Sequence, residues 1–192
     1  MGKSFLGKKL WDNQKSNQII VKQNYNGEKD YIEHFNSLLP AFSDKRYMKV
    51  DDKLLFFIYN PLDSDDIPKM MELWNKLAIK NGLNGFYFVG KTFYNEKKEQ
   101  LLKFGFDSVY NETMLSIHHN LGLAQKIRLL VQRKVFKMPT TFPYKEASKL
   151  LVTDDDYSET TIPVIVPNWD HSPRSGSNGF IFTNAEPKYF KN

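Results

Sequence analysis

The sequence contains no cysteine, so disulfide bonds and thiol chemistry are excluded throughout its 192 residues. It has only four histidines, and without cysteine their spacing matches no zinc site. We therefore expect no metal and no other cofactor. No apolar run approaches the length of a membrane-spanning helix, and residues 1–10 lack the apolar centre of a signal peptide. The predicted compartment is the cytoplasm.

The sequence also has only a small excess of positive charge, because it contains 27 Lys and Arg and 22 Asp and Glu. No dense basic block marks a nucleic-acid footprint, so we expect no nucleic-acid partner. Apolar and aromatic residues, by contrast, are plentiful, at 41% and 15% of the chain. They are enough for the core of one domain, and we expect residues 1–192 to form it, with residues 1–10 as a tail.

Short apolar runs alternate with helical patterns through the middle of the chain. The strand-like runs cover residues 54–59, 86–89 and 106–110. The helical patterns cover residues 28–42, 96–104 and a stretch from Pro68 to about Asn81. Such alternation is typical of parallel β/α units. An Asp51-Asp52 pair predicts a tight turn before the first run.

The alternation pauses between residues 113 and 161, which we interpret as a helical insertion. Residues 123–138 predict a basic amphipathic helix within it. Its apolar residues are Leu123, Ile127, Leu130, Val131, Val135 and Met138, and its basic residues are Lys126, Arg128, Arg133, Lys134 and Lys137. The common arrangement is an apolar side packed on the protein and a solvated basic side. The alternative is peripheral contact with anionic lipid at the inner membrane.

The stretch from residue 162 to residue 176 brings several reactive side chains together. Residues 162–166 form an apolar, β-branched run that predicts a buried parallel strand, which Pro167 ends. Trp169, Asp170, His171 and Arg174 follow with almost no spacer. A Trp ring can stack on a sugar, while charged groups orient hydroxyls or move protons. The alternative is a plain loop in which Asp170 and Arg174 pair with each other.

In parallel β/α architectures, functional residues gather at the carboxyl ends of the strands. The other predicted strand ends add Tyr59, Lys91 and Glu112. We expect Asp170 and Glu112 to be the catalytic carboxylates, and the residues predicted to bind substrate are Tyr59, Lys91, Trp169, His171 and Arg174. Simpler roles exist for some of them, since Tyr59 could be a core residue at a strand end and Lys91 could pair with Glu112.

Several ordered motifs resemble one known family. They are Leu38-Leu39-Pro40-Ala41-Phe42, Asp44-Lys45-Arg46-Tyr47, Val50-Asp51-Asp52-Lys53, Phe57-Ile58-Tyr59, Leu73-Trp74, Phe104-Gly105-Phe106-Asp107 and Pro167-Asn168-Trp169-Asp170-His171-Ser172-Pro173-Arg174. This sequence resembles WbsX-like glycosyltransferases of bacterial polysaccharide, O-antigen and lipopolysaccharide biosynthesis, which are similar to glycoside hydrolase family 99. The resemblance implies a TIM-like (β/α)8 barrel that acts on a saccharide or sugar-nucleotide substrate.

Two departures from the family pattern affect these expectations. His171 stands where the family usually has Asn. The family's early acidic segment has no counterpart before Trp11, and its last strand would follow Asn192, so we expect a partial, truncated barrel with about four of eight strands and an incomplete active site. Open sheet edges then predict aggregation or self-association. A family 99-like hydrolase and a non-catalytic glycan-binding remnant are the alternatives to a glycosyltransferase.

Overall fold

A computed structural model describes residues 5–6, 21–22, 26–92, 97–111, 117 and 121–190. The described residues divide into two compact units. Unit 1 holds those up to residue 111 together with residues 158–162, and unit 2 holds residues 117, 121–157 and 163–190. Each unit has its own apolar core. The expectation of a single domain stays a prediction.

Unit 1 is a mixed α/β structure. Its elements in chain order are β1 (Phe5–Leu6), β2 (Val21–Lys22), α1 (Glu28–Phe42), β3 (Lys49–Val50), β4 (Lys53–Ile58), α2 (Ile67–Lys80), β5 (Phe86–Thr92), α3 (Lys98–Lys103) and β6 (Ser108–Asn111). The strands β1 and β2 pair with each other, and the larger sheet has the order β3-β4-β5-β6. Because β4, β5 and β6 are parallel, the predicted β/α units are confirmed there.

The strands β3 and β4 form a hairpin across the predicted Asp51-Asp52 turn. Val50 is paired with Lys53, so the loop has two residues. Asp51 and Asp52 have φ angles of 49° and 63°. A type I′ turn, which commonly closes a two-residue hairpin loop, requires positive φ at both of these positions. The edge strand β3 is only two residues long, which limits the backbone that this side of the sheet offers to another chain. Self-association stays a prediction.

Trp74 lies at the centre of the unit 1 core and is fully buried. Its ring contacts four phenylalanines, namely Phe35, Phe42, Phe56 and Phe86. Its Nε1–H donates to the carbonyl oxygen of Tyr31 at 3.0 Å, which satisfies the one polar group that burial would otherwise penalise. Trp74, on α2, therefore packs against α1 and against the strands β4 and β5.

The structure contradicts the prediction of a buried strand over residues 162–166. Pairing with β6 stops after one parallel bridge, between Val109 and Thr161, with the Ile162 N–H donating to Val109 at 2.8 Å. Residues 162–169 are irregular, and Ile165 is 76% exposed. The reason is Pro163, which has no N–H to continue the ladder, just as Pro167 has none four residues later.

Unit 2 is built on two parallel strands. Its elements are α4 (Leu123–Lys134), β7 (Thr140–Pro143), α5 (Tyr144–Leu151), α6 (Ser172–Ser175) and β8 (Phe180–Thr183), with 3-10 turns at Asp154–Tyr157, Gly176–Asn178 and Pro187–Phe190. In the pairing of β7 with β8, Thr140 lies opposite Phe180. The core includes Phe142, Tyr144, Ala147 and Phe182. Burial raises the pKa of Tyr144, whose hydroxyl donates to Val166 at 2.8 Å.

Helix α4 differs from its prediction in length and in orientation. It ends at Lys134, four residues earlier than predicted, and Lys137 has a φ of 53°. The six apolar residues expected to pack on the protein are all exposed. Leu129, which the predicted apolar side omitted, is the buried residue of this helix. None of the described helices is long and apolar enough to cross a lipid bilayer.

Candidate functional site

The parallel sheet of unit 1 has one face packed on helices and one face that carries polar and aromatic groups. Leu54, Phe56 and Phe88 join the core residues of α1 and α2 on the first face. Side chains alternate along a strand, so Phe57 and Tyr59 point to the opposite face. There Phe57 contacts the ring of Tyr110 on β6, with centroids 5.7 Å apart. In a barrel, the face opposite the packed helices points inward.

Tyr59 and Lys91 meet at the carboxyl end of this face. Lys91 Nζ lies 3.6 Å from the centroid of the Tyr59 ring, a cation–π contact. Lys91 is 5% exposed, whereas Tyr59 is 64% exposed. The pair therefore combines a fixed, largely desolvated cation with an aromatic ring that remains open to a ligand. The predicted substrate residues Tyr59 and Lys91 are thus brought together.

A cavity of about 380 Å³ opens at the carboxyl end of β4. Its lining includes Asp30, His34, Phe57, Tyr59 and Asn60. Asp30 and His34 are four residues apart, so they share one side of α1. The size and the mixture of aromatic and polar groups are typical of small-molecule sites. Asp30 and His34 were not among the predicted site residues, although their helical spacing was the available signal.

The catalytic candidate Glu112 lies outside the described residues. Its neighbour Asn111, the last residue of β6, is buried at 6% exposure. Among the residues that the structure describes, no three His, Asp or Glu side chains are grouped to hold a metal ion.

The remaining candidates lie in unit 2, on a loop that runs beside β8. The Phe182 N–H donates to the Trp169 carbonyl oxygen at 2.8 Å, and the His171 N–H donates to the Phe180 carbonyl oxygen at 3.0 Å. Asp170 accordingly forms an antiparallel bridge with Ile181. Backbone pairing to β8, rather than a preceding strand, therefore positions this loop. Trp169, Asp170, His171 and Arg174 therefore do not follow a barrel strand at its carboxyl end, and that prediction is wrong.

Asp170 is held by the turn that begins α6. Its Oδ1 accepts from the Ser172 hydroxyl at 2.6 Å and from the Ser172 N–H at 2.8 Å. These two bonds, the hydroxyl's first, lower the pKa of Asp170, and neighbouring His171 lowers it further. The carboxylate is therefore ionised at neutral pH, where it can accept hydrogen bonds but cannot donate a proton. No ion pair joins it to Arg174 among the described side chains, so the pairing alternative is wrong.

Trp169 and His171 form a second aromatic surface on the same loop. Their rings are stacked with centroids 6.1 Å apart and planes inclined by 17°. Ser175 Oγ lies 2.9 Å from His171 Nδ1, which fixes the imidazole orientation. Trp169 is 37% exposed, and Arg174 is exposed two residues into α6. The loop therefore offers a flat ring surface, an ionised carboxylate and a cation on neighbouring residues.

A family model described as Glycosyltransferase WbsX matches residues 7–192. The chain belongs to this glycosyltransferase family. No curated protein and no solved structure matches the chain.

Most motifs that resemble the WbsX family have structural roles in unit 1. Arg46 donates from Nε and Nη2 to the carboxylate of Asp44, at 3.0 and 2.7 Å, and this pairing lowers the pKa of Asp44. Tyr47 donates its hydroxyl hydrogen to the Leu55 carbonyl oxygen at 3.0 Å. Asp107 accepts from the Phe88 N–H at 2.8 Å. These WbsX-family residues close turns and join strands rather than face a ligand.

The Trp-Asp-x-x-Pro-Arg motif is only partly explained by such roles. Asp170 begins the α6 turn, and Pro173 suits the first turn of a helix, which needs no N–H from it. Packing does not explain the exposed side chain of Arg174 or the open face of Trp169. In this WbsX-family chain, those two side chains are therefore the binding candidates of the motif.

Proposed function

We propose that this protein binds a saccharide or sugar-nucleotide substrate and transfers a glycosyl group during synthesis of a bacterial surface polysaccharide. Family membership supports a glycan-related function. The observation that carries the proposal to particular residues is the 3.6 Å contact between Lys91 Nζ and the Tyr59 ring. Of the two residues, Tyr59 also lines the cavity of about 380 Å³, whose other walls include residues of β4, α1 and α2. An exposed ring beside a desolvated cation suits a sugar attached to a phosphate.

The proposed architecture is part of a (β/α)8 barrel. On this view β4, β5 and β6 are successive barrel strands, and the face that carries Tyr59 and Lys91 is the interior. Three observations support it: the strands are parallel, α2 and α3 connect them, and α1, α2 and α3 pack on the sheet face that carries Leu54, Phe56 and Phe88. Active sites of such barrels lie at the carboxyl ends of the strands, where both residues stand.

The loop of unit 2 supplies a second group of proposed binding residues. The Trp169 and His171 rings would stack on a sugar, and Arg174 would meet an anionic group. Asp170, being ionised, would accept hydrogen bonds from sugar hydroxyls rather than act as a general acid. Glu112 remains a proposed catalytic carboxylate. In the transfer itself, the bond between the donor's anomeric carbon and the phosphate oxygen breaks, and the nucleoside diphosphate leaves with the electron pair. The acceptor hydroxyl oxygen bonds to the anomeric carbon and loses its proton to a carboxylate that acts as the base.

The experiment uses saturation-transfer NMR with a panel of nucleoside-diphosphate sugars. Lys91→Met keeps the length of the side chain but removes the charge. A charged hydrogen bond is worth about 1.5–3 kcal/mol, so the dissociation constant of any bound donor should rise by roughly ten- to a hundredfold. Lys53→Met is the matched control. Lys53 belongs to the same sheet but is the first residue of β4, at the end opposite to Tyr59, and its Nζ lies 3.8 Å from Asp107 Oδ1.

Equal loss of binding in both lysine variants, or unchanged binding in Lys91→Met, would refute the assignment of Lys91. Incubation of the bound donor with glycan acceptors distinguishes the reaction types. Transfer to the acceptor supports a glycosyltransferase, whereas release of free sugar alone supports the hydrolase alternative. Binding without any turnover supports a non-catalytic glycan-binding protein.

A further inference from the structure

The helix α4 packs on unit 2 through a narrow, largely polar side. Leu129 is its buried residue. On either side of it, Gln125 Nε2 donates to Glu146 Oε2 at 3.2 Å, and Gln132 Nε2 donates to Thr141 Oγ1 at 2.9 Å. These contacts fix the rotation of the helix about its axis. The opposite side must therefore face away from the core of unit 2.

That opposite side is a continuous apolar stripe. At 3.6 residues per turn, Leu123, Ile127, Leu130 and Val131 fall within an arc of about 100°. They are 76%, 53%, 51% and 38% exposed. Phe136 and Met138 extend the apolar surface beyond the end of the helix, at 65% and 55% exposure. Ordinary surface helices bury such a stripe, so this one requires an apolar surface outside the described fold.

Basic side chains flank the stripe on both sides. Lys126 and Arg133 project about 100–120° to one side of Ile127, and Arg128 projects about 100° to the other. Lys134, the last residue of α4, falls within the arc of the stripe and ends it with a basic side chain. With Lys137, residues 123–138 contain five basic residues and no acidic one. An outward apolar stripe between two basic margins is the pattern of a helix that lies in a lipid interface, with long basic side chains reaching the headgroups.

We propose that residues 123–138 dock this protein on the surface of an anionic lipid bilayer. The stripe enters the acyl boundary, and the five basic residues meet the headgroups. The charges favour this occupant over a second copy of the chain, because two segments with five positive charges each would repel. The apolar stripe favours it over nucleic acid, since phosphates offer nothing for Leu123, Ile127 or Leu130 to pack against.

A small groove beside the stripe is the proposed binding site for the headgroup of one lipid. Its volume is about 140 Å³, and it is lined by Leu121, Lys126, Leu129, Leu130, Arg133 and Thr140. Two of these residues are cations, and Thr140 belongs to β7. A lipid phosphate in the groove would lie at the edge of the stripe, where the headgroup of a lipid beside an interfacial helix is found.

The first test measures sedimentation of the full chain with vesicles. We expect binding to vesicles of phosphatidylcholine with phosphatidylglycerol, weakening as salt rises, and little binding to phosphatidylcholine alone. Arg128→Gln with Lys134→Gln should weaken binding by about fivefold per charge removed, or roughly 25-fold together. Ile127→Ser with Leu130→Ser should weaken it through loss of insertion, with the remaining binding abolished by salt.

The matched control is Ile79→Ser with Lys80→Gln. Both residues are exposed near the end of α2, so the control makes the same chemical changes away from the stripe. It should bind vesicles as the unchanged protein does. Equal binding to neutral and anionic vesicles would overturn the proposal, as would unchanged binding of both stripe variants. A salt-sensitive dimer that Ile127→Ser dissociates, without vesicle binding, would assign the surface to a second copy instead.

The second test uses the absence of cysteine, which makes any introduced thiol unique. An environment-sensitive fluorophore on Ile127→Cys should shift to the blue on anionic vesicles, because the dye enters an apolar phase. The same fluorophore on Ile79→Cys, which is 63% exposed on α2, should not shift. Binding without a shift at position 127 would overturn insertion, and tighter binding to nucleic acid than to vesicles would overturn the lipid assignment.

Discussion

Gly179 allows the loop that carries Trp169 and Asp170 to close, and Gly179→Ala should open it. A Cβ at this position would lie 2.6 Å from Ser172 Cα, 2.9 Å from Ser172 N and 3.0 Å from the Gly176 carbonyl oxygen. All three atoms belong to the backbone and cannot rotate away. Carbon atoms prefer separations of about 3.5–4.0 Å, so the chain must move by about 1 Å.

The expected cost comes from this contact and not from the dihedral angles. Gly179 has φ −67° and ψ 161°, which alanine adopts without strain. Overpacking costs about 1–3 kcal/mol, while replacing glycine in a compatible conformation returns about 0.4–1 kcal/mol. We therefore expect Gly179→Ala to lower the free energy of unfolding by about 1–2 kcal/mol. For a chain of this length, that is a fall in melting temperature of roughly 2–8 °C.

Gly122→Ala is a closely matched control. Gly122 has φ −66° and ψ 161°, nearly the same backbone conformation, and its nearest neighbour to an added Cβ is Gln125 Oε1 at 3.7 Å. Its stability should change by no more than about 0.5 kcal/mol. Urea unfolding gives both free energies. Hydrogen exchange of the His171 and Phe182 amides then locates the damage, because both amides donate between the loop and β8.

In Gly179→Ala those two amides should exchange faster, and in Gly122→Ala they should not. Equal stability of the two variants would refute the reasoning, because it would mean that Ser172 yields to the added methyl group at no cost.

Two further predictions concern single side chains. Trp74→Ala should lower the free energy of unfolding by about 3–5 kcal/mol in urea, because it empties the unit 1 core, whereas Ile79→Ala on the exposed side of the same helix should change it by less than about 0.5 kcal/mol. NMR titration should show Asp170 with a pKa below its ordinary value, and Ser172→Ala should raise that pKa by removing the hydroxyl donor. Since the folded pKa is the lower one, the bond to Ser172 contributes stability above about pH 4 and loses it as the pH falls through that pKa.

The sequence predicted best those elements that a single local pattern determines. Helix α1 covers residues 28–42 as its apolar spacing predicted. The Asp51-Asp52 turn was also predictable, since few residue pairs tolerate the left-handed conformation. In each case the deciding interactions lie within a few residues of one another.

The sequence-based predictions were wrong where the local structure depends on residues that are distant in the sequence. Apolar periodicity located α4 but could not determine which side of it packs, because Leu129 and its two flanking glutamines find their partners in β7 and α5. In residues 162–166 composition suggested a strand, yet Pro163 interrupts the ladder with β6. For the candidate site, strand ends predicted that Tyr59 and Lys91 lie at one edge of the sheet, but they could not reveal the contact between the two or that Asp30 and His34 of α1 line the cavity at Tyr59.

The basic isoelectric point of about 9.1 has its origin in the residues of α4 and its end. The 27 basic residues include five in residues 123–138, so the other 176 residues carry 22 of each sign. The protein is therefore electrically balanced except for one helix and its end. On a cation exchanger it should adsorb through that segment and present its remaining surface to the solvent, and proteolytic removal of the segment should abolish retention at neutral pH.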